Sequence, residues 1–173
     1  MKYFIWIVTI VFSVPVLGKE NAEVAEDVSL RLAISEVTSL ANDYLLKEKS
    51  CIDAASILEW SDLHSYTLSD AQIKTVLAYH SVKSRFECTR QERSQLVAAL
   101  LSLQHFASVH PEDQARGYAL LIDDFTHDQH RLWQLTAEYQ QDIPANIRAG
   151  LMTSTKLQQP FRLMDSVKAL GLD

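Results

Sequence analysis

The stretch YALLIDDFTHDQHRLWQLTAEY (Tyr118–Tyr139) decides the fold class. Advancing about 100° per residue from Leu121, Tyr118, Phe125, Leu132, Leu135 and Tyr139 all fall within about 60° of it. This is one apolar stripe at helical spacing, and it predicts a core-facing amphipathic helix. Pro111 suits the first position of that helix, with Glu112 and Asp113 in the first turn, and the pattern runs to about Gln140.

The opposite face of the same helix carries Asp123, His127 and His130. Their i, i+4 and i+7 spacing could hold zinc through two imidazoles and a carboxylate. The face points away from the apolar stripe, however, and a site needs a concave, partly dry setting. Asp123, His127 and His130 are therefore read as a solvated surface, with the metal site as the alternative. Asp128 is the sharper anomaly, because it lies about 20° from Leu121, inside the stripe. A buried carboxylate must be paired or neutral. Arg131, three residues on, is the expected local partner. Asp128 reads as one half of a structural ion pair or as a cap to a neighbouring helix end, or alternatively as a pocket carboxylate.

Working outward, the remaining sequence is also helical. A first helix is expected over residues 22–49, with Leu30, Ile34, Val37, Ala41, Tyr44 and Leu45 on one side, and a second over 51–60. SDLHSYTLSD (61–70) reads as a polar connector. Ser69 with Gln72, and Thr89 with Glu92, have the spacing of capping boxes. They start a third helix, ending near Phe86, and a fourth with Leu96, Val97, Leu100, Leu101 and Gln104 on one face. The fourth stops at His110, because a residue before proline avoids the helical region. Pro144 and Pro160 are expected to open two short helices, and Gly171 to close the last. Four glycines and four prolines leave few breaks, and no stretch alternates long enough to predict a strand. The expectation is an all-α fold: one domain, residues 19–173, of six or seven helices in a bundle or short helical-hairpin array.

His80 falls in the apolar stripe of the third helix. It reads as a core histidine bonded to backbone, with a ligand role as the alternative. His105 and His110 flank the end of the fourth helix, where a cationic ring complements the helix dipole.

The first residues, MKYFIWIVTIVFSVPVLGKE, combine one lysine with an apolar run that Pro15 breaks. Val16 and Gly18 follow at the spacing of a signal-peptidase site, so residues 1–18 read as a secretory signal. The run is shorter than the roughly 20 residues that cross a bilayer, which favours cleavage over a membrane anchor. No later segment is apolar enough to span a membrane, so no transmembrane segment is expected in the mature chain. An exported chain with only Cys51 and Cys88 is expected to pair them. The bond would be worth roughly 4 kcal/mol on the chain-entropy model. It would staple the second helix to the third.

The chain carries 16 Lys and Arg against 22 Asp and Glu, a formal net charge of −6. An acidic protein has no electrostatic attraction to phosphate backbones, so no nucleic-acid partner is expected. The one basic run, HSVKSRFECTRQER, sets Lys83, Arg85, Arg90 and Arg93 around Cys88. It reads as a solvated helix junction paired with Glu87 and Glu92, or else as a surface for an acidic partner. No GxSxG elbow, HExxH, phosphate loop or EF-hand pattern occurs. No cofactor is implied. The reading is an exported, periplasmic or secreted, non-enzymatic helical protein acting through a protein partner as an adaptor, accessory or assembly factor. Its alternatives are a metal- or small-ligand-binding protein using helix 111–140, and an all-helical enzyme with Asp128 and Arg131 in a pocket. Intact-mass analysis of the exported protein is expected to find a species beginning at Lys19. A mature species retaining Met1 would refute the cleavage.

Overall fold

A computed structural model of the protein describes residues 19–109 and 114–172, with side chains described for 28–104, 122–123 and 125–172. The expected signal segment, the break at His110 and Pro111, and the side chains of His105, Tyr118 and Leu121 lie outside these residues. Among the described residues the fold is all-α. Its eight helices are α1 (Lys19–Asp53), α2 (Trp60–Leu63), α3 (Asp70–Cys88), α4 (Arg90–Val109), α5 (Gln114–Asp142), α6 (Ala145–Leu151), α7 (Thr155–Gln158) and α8 (Leu163–Ala169).

Local chemistry sets several of the boundaries. Ser69 caps α3: its backbone N–H donates to Gln72 Oε1 at 3.0 Å, and its Oγ accepts from the Gln72 N–H at 3.3 Å. The expected box at Thr89 does not form. Thr89 instead ends α3, its N–H and hydroxyl both donating to the Arg85 carbonyl. As the single residue between α3 and α4, it is spent on the first helix rather than the second. Pro144 caps α6. Gly171 closes α8 at φ +63°, a left-handed conformation that suits glycine. Its N–H reaches the Lys168 carbonyl, and the Leu172 N–H reaches Val167, the paired bonds of a Schellman ending.

Other expectations need correcting: eight helices stand among the described residues where six or seven were expected, and α2, with the buried Leu63, occupies the start of the stretch read as a polar connector. The first helix runs on through Cys51 to Asp53, and residues 54–59 are not helical. This segment pairs with the C-terminal part of the chain instead: the Ser56 N–H donates to Pro160 and the Arg162 N–H to Ser56, an isolated parallel bridge. Pro160 therefore precedes an extended residue rather than opening a helix. Finally, the Cys51–Cys88 bond is present, with Cα atoms 6.3 Å apart, but it joins the end of α1 to the end of α3 and does not staple a local hairpin.

The buried side chains form two clusters. Val37 of α1 and Leu96, Leu100 and Leu103 of α4 make one, with Ile34, Ala41, Tyr44, Ile122 and Phe125 packed against it. The other gathers Leu58, Leu63, Ile73, Val76, Leu77, Tyr139, Ile143, Leu151, Leu157 and Phe161 from the segment before α2, α2 itself, α3, the end of α5 and the C-terminal segments. The expected stripe on α1 holds except at Leu45, which is exposed. Gly150 lets α6 approach closely, because a Cβ there would sit 2.8 Å from the Tyr66 ring. Ser166 of α8, fully buried, accepts the Leu58 N–H at 3.0 Å.

His80 lies inside the second cluster, fully buried. Its Nε2 is 3.3 Å from the Tyr139 hydroxyl. It meets edge-on the rings of Tyr79 and Tyr139, which stack at 4.1 Å. The expected backbone bond is not made with good geometry: Nδ1 has no partner, although the nearby Leu157 backbone favours the charged ring. Burial, reinforced by the Lys83 charge, outweighs that effect and holds the pKa down to about 4. A histidine depressed from 6.5 in the folded state stabilises the fold above pH 6.5, and that stability is lost as pH falls toward 4. Urea unfolding is expected to show the parent losing roughly 2–3 kcal/mol more than His80→Leu between pH 7 and pH 4. Parallel pH profiles for the two proteins would refute this role.

Candidate functional site

On α4, the single stripe expected from sequence divides in two. Leu96, Leu100 and Leu103 pack toward α1. Val97 and Leu101 turn the other way and, with Ile122, Phe125 and Trp133 of α5, line an apolar groove of about 370 Å³. Leu101 is 53% exposed and Trp133 64% exposed. The groove continues into a second hollow, of about 560 Å³, that shares Arg93, Val97, Leu101 and Gln129 and extends to Phe86 and Leu132.

Beside the groove, where the two clusters part, lies a polar cleft of about 100 Å³. Tyr44 and Glu48 of α1, Arg85 of α3, Arg93 of α4, and Asp128 and Arg131 of α5 line it, next to Cys51 and Thr89. Arg85 donates to Glu48 at 2.6 Å. Tyr44 meets the Phe125 ring edge-on at 5.3 Å. Burial raises the pKa of its hydroxyl, and Glu48 adds to that shift.

Arg93 belongs to both places, lining the cleft and both hollows of the groove. Its guanidinium lies 3.8 Å from the Phe86 ring centroid and 5.2 Å from that of Phe125. It donates to the Phe125 carbonyl at 2.8 Å. Burial lowers its pKa, and Tyr44 and Asp128 oppose that shift. Among the described residues no carboxylate lies within ion-pair distance of it.

The structure places the residues singled out from sequence as follows. Asp128 is exposed, not buried. It does lie on the inward stripe of α5, but at the level where the two clusters separate and leave a water-accessible gap. Arg131 is also exposed, lines the same cleft, and makes no ion pair with Asp128. His80 is far along α3 in the core and takes no part. Asp123, His127 and His130 are exposed; His130 borders the apolar groove beside Trp133, and its Nε2 lies 3.0 Å from Gln134 Nε2. Among the described residues no three His, Cys, Asp or Glu side chains group as a metal site.

The basic run is dispersed rather than one patch. Lys83 lies over the Tyr79 ring, Arg85 pairs with Glu48, Arg90 pairs with Glu87, and Arg93 turns inward. Arg93 stood out in the sequence only as one cation of the basic run, and Trp133 not at all. Trp133 could have been flagged, since it stands about 120° from Leu121, an aromatic off the stripe. No protein-family model matches this chain, and no curated protein or solved structure is significantly similar to it.

Alanine replacement of Asp123, His127, His130 or Asp128 is expected to change stability by less than about 0.5 kcal/mol each, as exposed sites usually do. Arg93→Ala removes a stacked, hydrogen-bonded guanidinium and is expected to cost about 1–2 kcal/mol. Chemical denaturation of the five variants measures this ordering. An Asp128→Ala cost above that of Arg93→Ala would reverse it.

Proposed function

We propose that this is an exported, non-enzymatic helical protein of the periplasm or extracellular space, acting as an adaptor or accessory factor through protein contacts. The observation that carries the reading is the groove between α4 and α5. Monomeric proteins seldom present large apolar side chains across a contiguous hollow unless something covers them. Leu101 and Trp133 stand on its lining, both more than half exposed. Grooves between helices take the apolar face of an amphipathic helix, anchored at one-turn spacings.

Charge narrows the partner further. The charged groups lining the groove are Arg90, Arg93 and Glu87, a net positive set on a chain of net charge −6. The partner segment is therefore an amphipathic helix with apolar anchors and an acidic flank. The disulfide supports an oxidising compartment. Among the described residues no helix is long and apolar enough to cross a membrane.

A photocrosslinking residue placed at Leu101 or Trp133 is expected to trap one exported protein, the crosslinked peptide being apolar with an acidic neighbour. The same residue placed at His127, on the far face of α5, is the control. Equal crosslinking from all three positions, or none from the groove, would overturn the reading.

A further inference from the structure

We infer that the cleft between α1, α3 and α5 is a carboxylate-binding site, in which Arg93 and Arg131 receive the anion and the Tyr44 hydroxyl donates to it. The starting point is an imbalance. A guanidinium removed from bulk water ordinarily faces a carboxylate or phosphate, because desolvating an unpaired cation is costly. Arg93 is half-buried between two phenylalanine rings, and its one described hydrogen bond goes to a neutral backbone carbonyl. Several of its N–H groups remain for another acceptor.

The surroundings fit that acceptor. Glu48 is engaged by Arg85, so it is already matched. Arg131 enters the same cleft from α5 without an ion pair among the described residues. Two arginines lining one cleft from different helices suit the planar, two-oxygen geometry of a carboxylate. The space, about 100 Å³, admits a carboxylate group while the rest of its carrier stays outside the cleft. Asp128 also lines the cleft; it partly balances the Arg93 charge from beyond ion-pair distance and opposes a second anion, so it limits affinity. The carboxylate can come from a free small acid, or from an Asp or Glu side chain of a segment seated in the adjoining groove. Only the second source depends on the groove reading.

The test is a titration of the oxidised protein with succinate, and separately with a peptide carrying one Glu between leucines, read on the arginine Nε–H resonances. Saturable shifts confined to Arg93 and Arg131 are expected, weakening as sodium chloride is raised. Arg131→Gln removes an exposed side chain that makes no described contact, so the fold is retained. Losing one charged hydrogen bond there is expected to weaken binding about tenfold. Asp128→Asn is expected to tighten it. Peptide binding that exceeds succinate binding and falls in Leu101→Asp assigns the carboxylate to a partner's side chain. Succinate binding equal in Leu101→Asp and the parent, with no gain for the peptide, assigns it to a free acid. Shifts that do not saturate, that spread equally to Arg148 and Arg162, or that persist unchanged in Arg131→Gln would overturn the site.

Discussion

The covalent link between Cys51 and Cys88 is the constraint on which the arrangement turns. It fixes the last turn of α1 against the last turn of α3. Thr89 alone separates α3 from α4, so α4 starts at that same point. With both ends pinned, α4 packs along α1, while α3 packs against α5 and the short C-terminal helices. Each pairing buries its own leucines, and the result is two apolar clusters with a seam between them at the disulfide.

That seam explains the polar residues found there. Side chains at the border of two cores can be neither fully dry nor fully wet. Arg93 meets this condition with its guanidinium face on Phe86 and its edge on the Phe125 carbonyl, using the planar, weakly hydrated character that separates arginine from lysine. Glu48 and Arg85 meet it by pairing with each other, at an exposure where such a pair contributes little to stability. The cleft and the groove are thus two openings of one structural fault, and Arg93 stands in both.

The helical class, the α3 cap at Ser69, the disulfide partners and the closing role of Gly171 were all readable from local chemistry, because each depends on neighbours within a few positions or on redox compartment. The stripe on α5 was equally legible, and Phe125, Leu132, Leu135 and Tyr139 do face the clusters. What periodicity could not tell is where along a helix its inward face meets nothing. Asp128 points as the angle arithmetic says, yet it is wet, since the gap beneath it is made by α1 and α3. The same limit applies to Leu101. Its place next to Leu100 reads as core, and only the position of α1 decides which of the two is covered. Residues 54–59 escaped for a related reason: their partners, Pro160 to Arg162, lie about a hundred residues away, and no local propensity signals that pairing.

Helix α5 contributes Ile122 and Phe125 to one cluster and Leu132, Leu135 and Tyr139 to the other. Its 29 residues form an unbroken rod, about 43 Å long at the usual rise. Deleting a single residue at the seam would rotate everything beyond it by about 100°, leaving one cluster intact while turning the other's side chains outward. Length changes in this gene should therefore accumulate between helices and avoid the middle of α5. Point substitutions at Asp128 and Gln129, by contrast, should leave both clusters folded. At these two positions the fold tolerates a change of side chain but not a change of phase.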